Sequence, residues 1–206
     1  MIKKINYLKY KRNLVLFSVL ILIVNIIVIS NNNNHFSTTS MAFGQFFFNE
    51  NKSPMLTYEN QNFNFKISYP SNWEKSSTLN NEFIFIAPKE KDSPTSPAGL
   101  VIKIVPLQSK NISITSISNA LVTQLKKEHK DFKQESSGQY MIDGKNGKQI
   151  TFTATDNNLQ SRKALQVMTM NNNNVFIITY KASPDTFTKY EDIAKEMISS
   201  FKILSK

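Results

Sequence analysis

The run Gln61-Asn62-Phe63-Asn64-Phe65-Lys66-Ile67-Ser68-Tyr69-Pro70-Ser71-Asn72-Trp73 decides the fold class. Phe63, Phe65, Ile67 and Tyr69 occupy every second position, with Asn64, Lys66 and Ser68 between them, which predicts a strand with one buried face. Pro70 cannot donate the next ladder hydrogen bond, so it ends the strand, and Ser71-Asn72-Trp73 turns the chain with Trp73 at the core edge. Working outward, Glu82 to Ala87 reads as a short apolar strand stopped by Pro88, and the Lys/Glu/Ser/Pro stretch to Pro97 as a loop. Leu100, Ile102 and Ile104 alternate with Val101, Lys103 and Val105 in a further strand ended by Pro106. Three strands are therefore expected before the first helix. That helix should take Thr115 or Ser116 as its N-cap and turn Ile117, Ala120, Leu121 and Leu125 to the core. Lys126, Lys127 and Lys130 fall at its C-terminal end, where cations complement the helix dipole.

Beyond the helix, 132–142 and 148–155 read as strands joined through Asp143-Gly144-Lys145-Asn146-Gly147, a turn rich in residues that tolerate positive φ. A second hairpin joins 159–170 to 175–182 across the Asn171 to Asn174 tract. Ser183-Pro184-Asp185 opens a closing helix with Phe187, Tyr190, Ala194, Met197, Ile198 and Phe201 at helical spacing. Hairpin-linked strands with only two helices predict an α+β architecture, an antiparallel sheet covered by the helices.

The N-terminal side has a different composition. Lys3, Lys4, Lys9, Lys11 and Arg12 precede an apolar run formed by Leu14, Val15, Leu16, Phe17, Leu20, Ile21, Leu22, Ile23, Val24, Ile26, Ile27, Val28 and Ile29, and residues 1–42 contain no acid. Positive charge ahead of such a run keeps the N-terminus in the cytoplasm and predicts export of the chain beyond residue 30. The run spans about 24 Å as a helix, between the lengths of a signal h-region and of a membrane span. Ser40-Met41-Ala42 has the small residues of a cleavage site but lies well past the apolar run, which favours a retained anchor over a cleaved signal. The expected location is the cell membrane, single-pass with the domain on the extracytoplasmic side, or the exterior if the chain is cut near Ala42. Residues 31–55, with Asn31 to Asn34, a Ser/Thr stretch and Phe43, Phe46, Phe47 and Phe48, read as a tether. The organisation is therefore 1–30 signal or anchor, 31–55 tether and 56–206 folded domain.

Charge and chemistry narrow the function. The formal charge of +10 falls to +5 once residues 1–42 are set aside, and the remaining lysines are scattered, so no nucleic-acid patch is expected. The absence of Cys excludes disulfides, thiol nucleophiles and Cys-ligated metals. With five Gly there is no Gly-rich phosphate loop, and no HExxH, GxSxG or EF-hand pattern occurs. A catalytic triad would have to use His129, whose place beside Lys127 and Lys130 near a helix end marks a surface histidine. Asp185, Glu191 and Asp192 are explained by the helix start and a solvated face rather than by a hard-cation site. Asn51-Lys52-Ser53 and Asn111-Ile112-Ser113 are glycosylation sequons in expected loops, of a kind that arises by chance in an Asn-rich chain.

Phe65-Lys66-Ile67-Ser68-Tyr69-Pro70 with Trp73, Ile142-Asp143-Gly144-Lys145, and Val175 to Ala182 ahead of Tyr190 and Phe201 resemble the PsbP family, over roughly residues 58–204. The resemblance implies an α-β-α sandwich, as in the Mog proteins, with a central antiparallel sheet flanked by helices. It also implies an extrinsic, membrane-associated protein, and the lack of catalytic motifs leads to the expectation that it is not an enzyme. The resemblance suggests calcium or another metal ion, with no ligand constellation to carry over; no other cofactor is expected. The retained-anchor reading and simple tether are closer to single-domain prokaryotic PsbP-like proteins than to the plant photosynthetic subunit. Two functions are expected as alternatives: an accessory or stabilising subunit of a membrane complex, with a protein partner there, or a carrier binding a metal or small molecule between sheet and helices.

Overall fold

The computed structural model describes residues 53–78, 81–90, 96–108, 112–157 and 159–205. The stretch read as an anchor, Leu14 to Ile29, the candidate cleavage site and both sequon asparagines lie outside the described residues. Five strands precede the first helix: β1 (Met55–Asn60), β2 (Phe65–Pro70), β3 (Glu74–Thr78), β4 (Glu82–Ile86) and β5 (Gly99–Pro106). Then come α1 (Ile114–Glu128), β6 (Lys133–Ile142), β7 (Lys145–Thr155), β8 (Ser161–Asn171), β9 (Asn174–Ala182), α2 (Pro184–Ser200) and β10 (Lys202–Ile203). β3, β4, β5, β9, β8, β7 and β6, in that spatial order, form a seven-stranded sheet, while β1, β2 and β10 form a second sheet. Every pairing is antiparallel.

Side-chain alternation separates the large sheet's two faces. Ala164, Met168, Val175 and Ile177 meet Ile117, Leu121 and Leu125 of α1, whereas Leu165, Val167, Phe176 and Ile178 join Phe187, Ala194, Met197 and Ile198 of α2. The helices thus cover opposite faces, and each fully buried aliphatic side chain contributes about 1.5–3 kcal/mol. The smaller sheet shares the α2 side: Phe65 of β2 stacks on Phe201 at 5.5 Å, and Phe201 also meets Phe176 at 5.6 Å. Ser200 Oγ accepts the Ser68 N–H at 2.8 Å, fastening the end of α2 to β2.

Several boundaries differ from the sequence expectation. The strand at the start is a hairpin, β1 with β2, so Phe63 falls in its turn and Asn64 takes φ 52°. Trp73 is buried inside the core, edge-on to Tyr190 at 6.0 Å, rather than capping it. α1 starts two to three residues early because Ser113 is its N-cap, with Oγ accepting the Ser116 N–H at 3.0 Å. The β6–β7 hairpin turns on Asp143 and Gly144 alone, at φ 49° and 71°, the two positive-φ positions of a type I′ turn. Lys145, Asn146 and Gly147 belong to β7. Asn171 and Asn174 end their strands, and the turn needs only Asn172 and Asn173.

Candidate functional site

Chemistry-bearing side chains gather on the α1 face. α1 packs over β7 and β8, and its flank towards β6 carries Ser118, Asn119 and Val122. With Gln134, Ser137 and Lys148 from β6 and β7, these line an open groove of about 510 Å³, and Gln139 continues it into a neighbouring recess of about 410 Å³ beside Tyr140 and Met141. Amides, hydroxyls and one ammonium share this lining with Val122 and Ile150, so the groove offers hydrogen-bonding groups beside an apolar strip.

β6 borders this groove and is the sheet's edge. Most of its ten residues are exposed, and its outer backbone groups have no strand partner among the described residues. Glu135 is the extra residue of a bulge between Gln134 and Ser136, and its carboxylate pairs with Lys163 at 2.8 Å. Bulges and charges of this kind discourage unwanted strand pairing. Gly147 lets the three strands close up here. A Cβ on it would stand 2.3 Å from Met168 O and 3.1 Å from Tyr140 O, backbone atoms of the strands on either side.

Further along the same face, polar groups replace the aliphatic floor. Glu82 and Lys103, opposite each other on β4 and β5, form an ion pair at 2.8 Å and are nearly inaccessible to solvent. Gln166 donates to Thr179 Oγ1 at 3.0 Å, and its Oε1 has no partner among the described residues. Arg162, 5% exposed, donates to Ser96 O at 3.0 Å and Pro97 O at 3.1 Å. Its Nε lies 3.8 Å from Asp156 Oδ2 and makes no hydrogen bond. Burial pushes the Arg162 guanidinium below its ordinary pKa, and burial with the charge of Arg162 does the same to Lys181.

The residues weighed for chemistry in the sequence are not brought together. His129 is the C-cap of α1, its N–H bonded to Leu125 O at 2.9 Å, next to Asp131, whose carboxylate accepts the Thr155 hydroxyl at 2.6 Å. Asp185 sits in the first turn of α2, and Glu191 pairs with Lys195 at 2.8 Å one turn on. Among the described residues no group of three or more His, Asp or Glu side chains is arranged to hold a metal ion, and no helix is long and apolar enough to cross a membrane. Sequence reasoning missed Arg162 and Lys181. The available signal was composition: Arg162 is the only arginine after Arg12, on a strand whose middle, Ala164 to Met170, is mostly apolar.

Comparison with known proteins agrees with this architecture. Residues 13–203 match the family of PsbP-like proteins, and the chain belongs to that family. No curated protein sequence matches it. Among solved structures, the cyanobacterial PsbP of Synechocystis, CyanoP, is similar over 76% of this chain and 96% of its own, at 13% identity and a TM-score of 0.55. LpqN, a Mycobacterium tuberculosis protein involved in cell envelope biogenesis, is similar over 75% of this chain and 88% of its own, at 15% identity and a TM-score of 0.54. A Pseudomonas aeruginosa protein of unknown function, described as a putative regulator, is similar over 71% and 94%, at 18% identity and a TM-score of 0.52. At these identities the likeness establishes a shared mixed α+β fold.

Proposed function

We propose that this PsbP-like protein is a non-enzymatic, extracytoplasmic module held at the membrane by its N-terminal segment, where it serves as an accessory or stabilising subunit of a membrane complex. The observation that carries the reading is the α1–β6 surface. An open groove beside the exposed strand β6 offers amide, hydroxyl and ammonium side chains, with an apolar strip, to a partner's surface. Family membership and the basic-then-apolar pattern of residues 3–29 support the membrane placement. A pulldown of the tagged full-length chain from native membranes, with intact-mass measurement of the recovered protein, tests the proposal. A stoichiometric protein partner and a chain that retains residues 1–42 are expected. Recovery of the chain alone from the soluble exterior fraction would overturn it.

A further inference from the structure

The α1 face holds a charge imbalance that neither the groove nor the proposed docking role uses. Arg162 is on β8, and Lys181 on β9 lies directly opposite Ala164, two residues further along β8. Both side chains therefore stand on the same face of the sheet. With Asp156, Phe152, Ala154 and Thr179 they line a cavity of about 40 Å³, roomier than a single water needs. The two terminal nitrogens of Arg162 are committed to Ser96 O and Pro97 O, which fixes the guanidinium plane and leaves the Nε hydrogen without an acceptor. Asp156 Oδ2, at 3.8 Å, is beyond hydrogen-bond reach of that nitrogen, and Oδ1 already accepts the Gln160 N–H at 3.1 Å. Lys181 forms no side-chain hydrogen bond or ion pair among the described residues. Thr179 Oγ1 accepts from Gln166, so its own hydrogen is available to donate.

The bland account makes Arg162 a staple for the Ser96–Pro97 backbone and Lys181 a snorkelling surface residue. It explains the terminal nitrogens only. It leaves a buried N–H unpaired, with its desolvation uncompensated, and sets two cations against one carboxylate beside Phe152, Ala154 and Ala164. One additional negative charge in the cavity satisfies the Nε hydrogen, partners the Lys181 ammonium and brings the local charge to zero. Burial lowers the pKa of both cations, and the charge of Arg162 lowers that of Lys181 further.

We propose that Arg162, Lys181 and Thr179 form a binding site for one small monoanion, a halide, nitrate or single carboxylate group. The test uses the full-length chain in detergent, with thermal unfolding followed against chloride, nitrate and formate at constant ionic strength balanced by bulkier methanesulfonate. A saturable rise in Tm is expected for the small anions. Lys181→Gln should abolish it, and so should Ala164→Val, which fills the cavity while keeping both cations. Chloride-35 NMR line broadening, competed away by formate, gives a readout independent of stability. Affinity rising through acetate, propionate and hexanoate would identify the carboxylate end of an organic molecule. Equal or better binding of chloride and nitrate would identify a free inorganic anion; either result supports the site. A Tm response that never saturates, or that is unchanged in both variants, would overturn it.

Discussion

Gly147→Ala is the sharpest test of how the sheet is assembled beneath the groove. The added methyl would stand 2.3 Å from Met168 O, where real contacts do not fall below 3.0 Å, and 3.1 Å from Tyr140 O on the other side. Both neighbours are backbone of hydrogen-bonded strands, so no rotamer change relieves the clash, and β7 must move against β6 or β8. Overpacking of this kind costs about 1–3 kcal/mol. At roughly 2–4 °C per kcal/mol for a domain of this size, Tm should fall by about 2–12 °C. Gly138→Ala is the matched control on β6: its new Cβ meets nothing within 4 Å, and the stiffer unfolded chain should make it neutral or stabilising by about 0.4–1 kcal/mol. Circular dichroism melts of the two full-length variants side by side give the answer. Equal stability of Gly147→Ala and Gly138→Ala would refute the close approach of the three strands.

Three further outcomes are expected from charges and hydrogen bonds. Partial burial pushes the Asp143 carboxyl up, but the Ile203 N–H at 2.9 Å and Lys202 together hold it below its ordinary value. A depressed carboxylate stabilises the fold above its unfolded pKa of about 3.9 and loses that contribution as pH falls through the folded value. Asp143→Asn, which tolerates the positive φ, should therefore be less stable than the parent at neutral pH, with the Tm gap closing under acid. Tyr180 is pushed up chiefly by burial, and its hydroxyl donates to Phe187 O at 2.6 Å. Its contribution is intact below the unfolded pKa of about 10 and declines above it, so Tyr180→Phe should flatten the alkaline loss of Tm while costing about 1 kcal/mol at neutral pH. Glu82→Gln should destabilise by about 3–5 kcal/mol in a denaturant titration, and pairing Glu82→Leu with Lys103→Met should recover most of it, because a buried pair is costly to break and cheap to replace. A double variant as unstable as the single one would contradict this.

How far the sequence reveals each element depends on how that element is buried. β2, β4, β5, β8 and β9 carry alternating or continuous apolar residues, since one or both of their faces meet a core, and α1 and α2 announce themselves through amphipathic spacing and start signals. β3, Glu-Lys-Ser-Ser-Thr, left no such trace because as an edge strand it is almost wholly exposed. β1 buries only part of one face against β2, and β10 is two residues long, held by pairing across more than 130 residues of sequence. The candidate site was illegible for a related reason. Lys181 reaches the vicinity of Arg162 only through the β8–β9 register, and the groove exists because α1 sits over β7 and β8 and stops short of β6. Local pattern does not encode either placement. The PsbP-like resemblance, by contrast, was carried by structural residues such as Tyr69-Pro70, Trp73 and Asp143-Gly144, and it survives comparison over most of the chain.

The membrane-subunit reading stands or falls on site-specific photocrosslinking in native membranes. A crosslinking residue placed at Ser137 or Asn119, in the groove, should capture one discrete protein partner, while the same residue at Thr188, exposed on α2, should capture little. Capture of a partner from the groove positions alone is the expected result. No adduct above background at any of the three positions would contradict the proposed role.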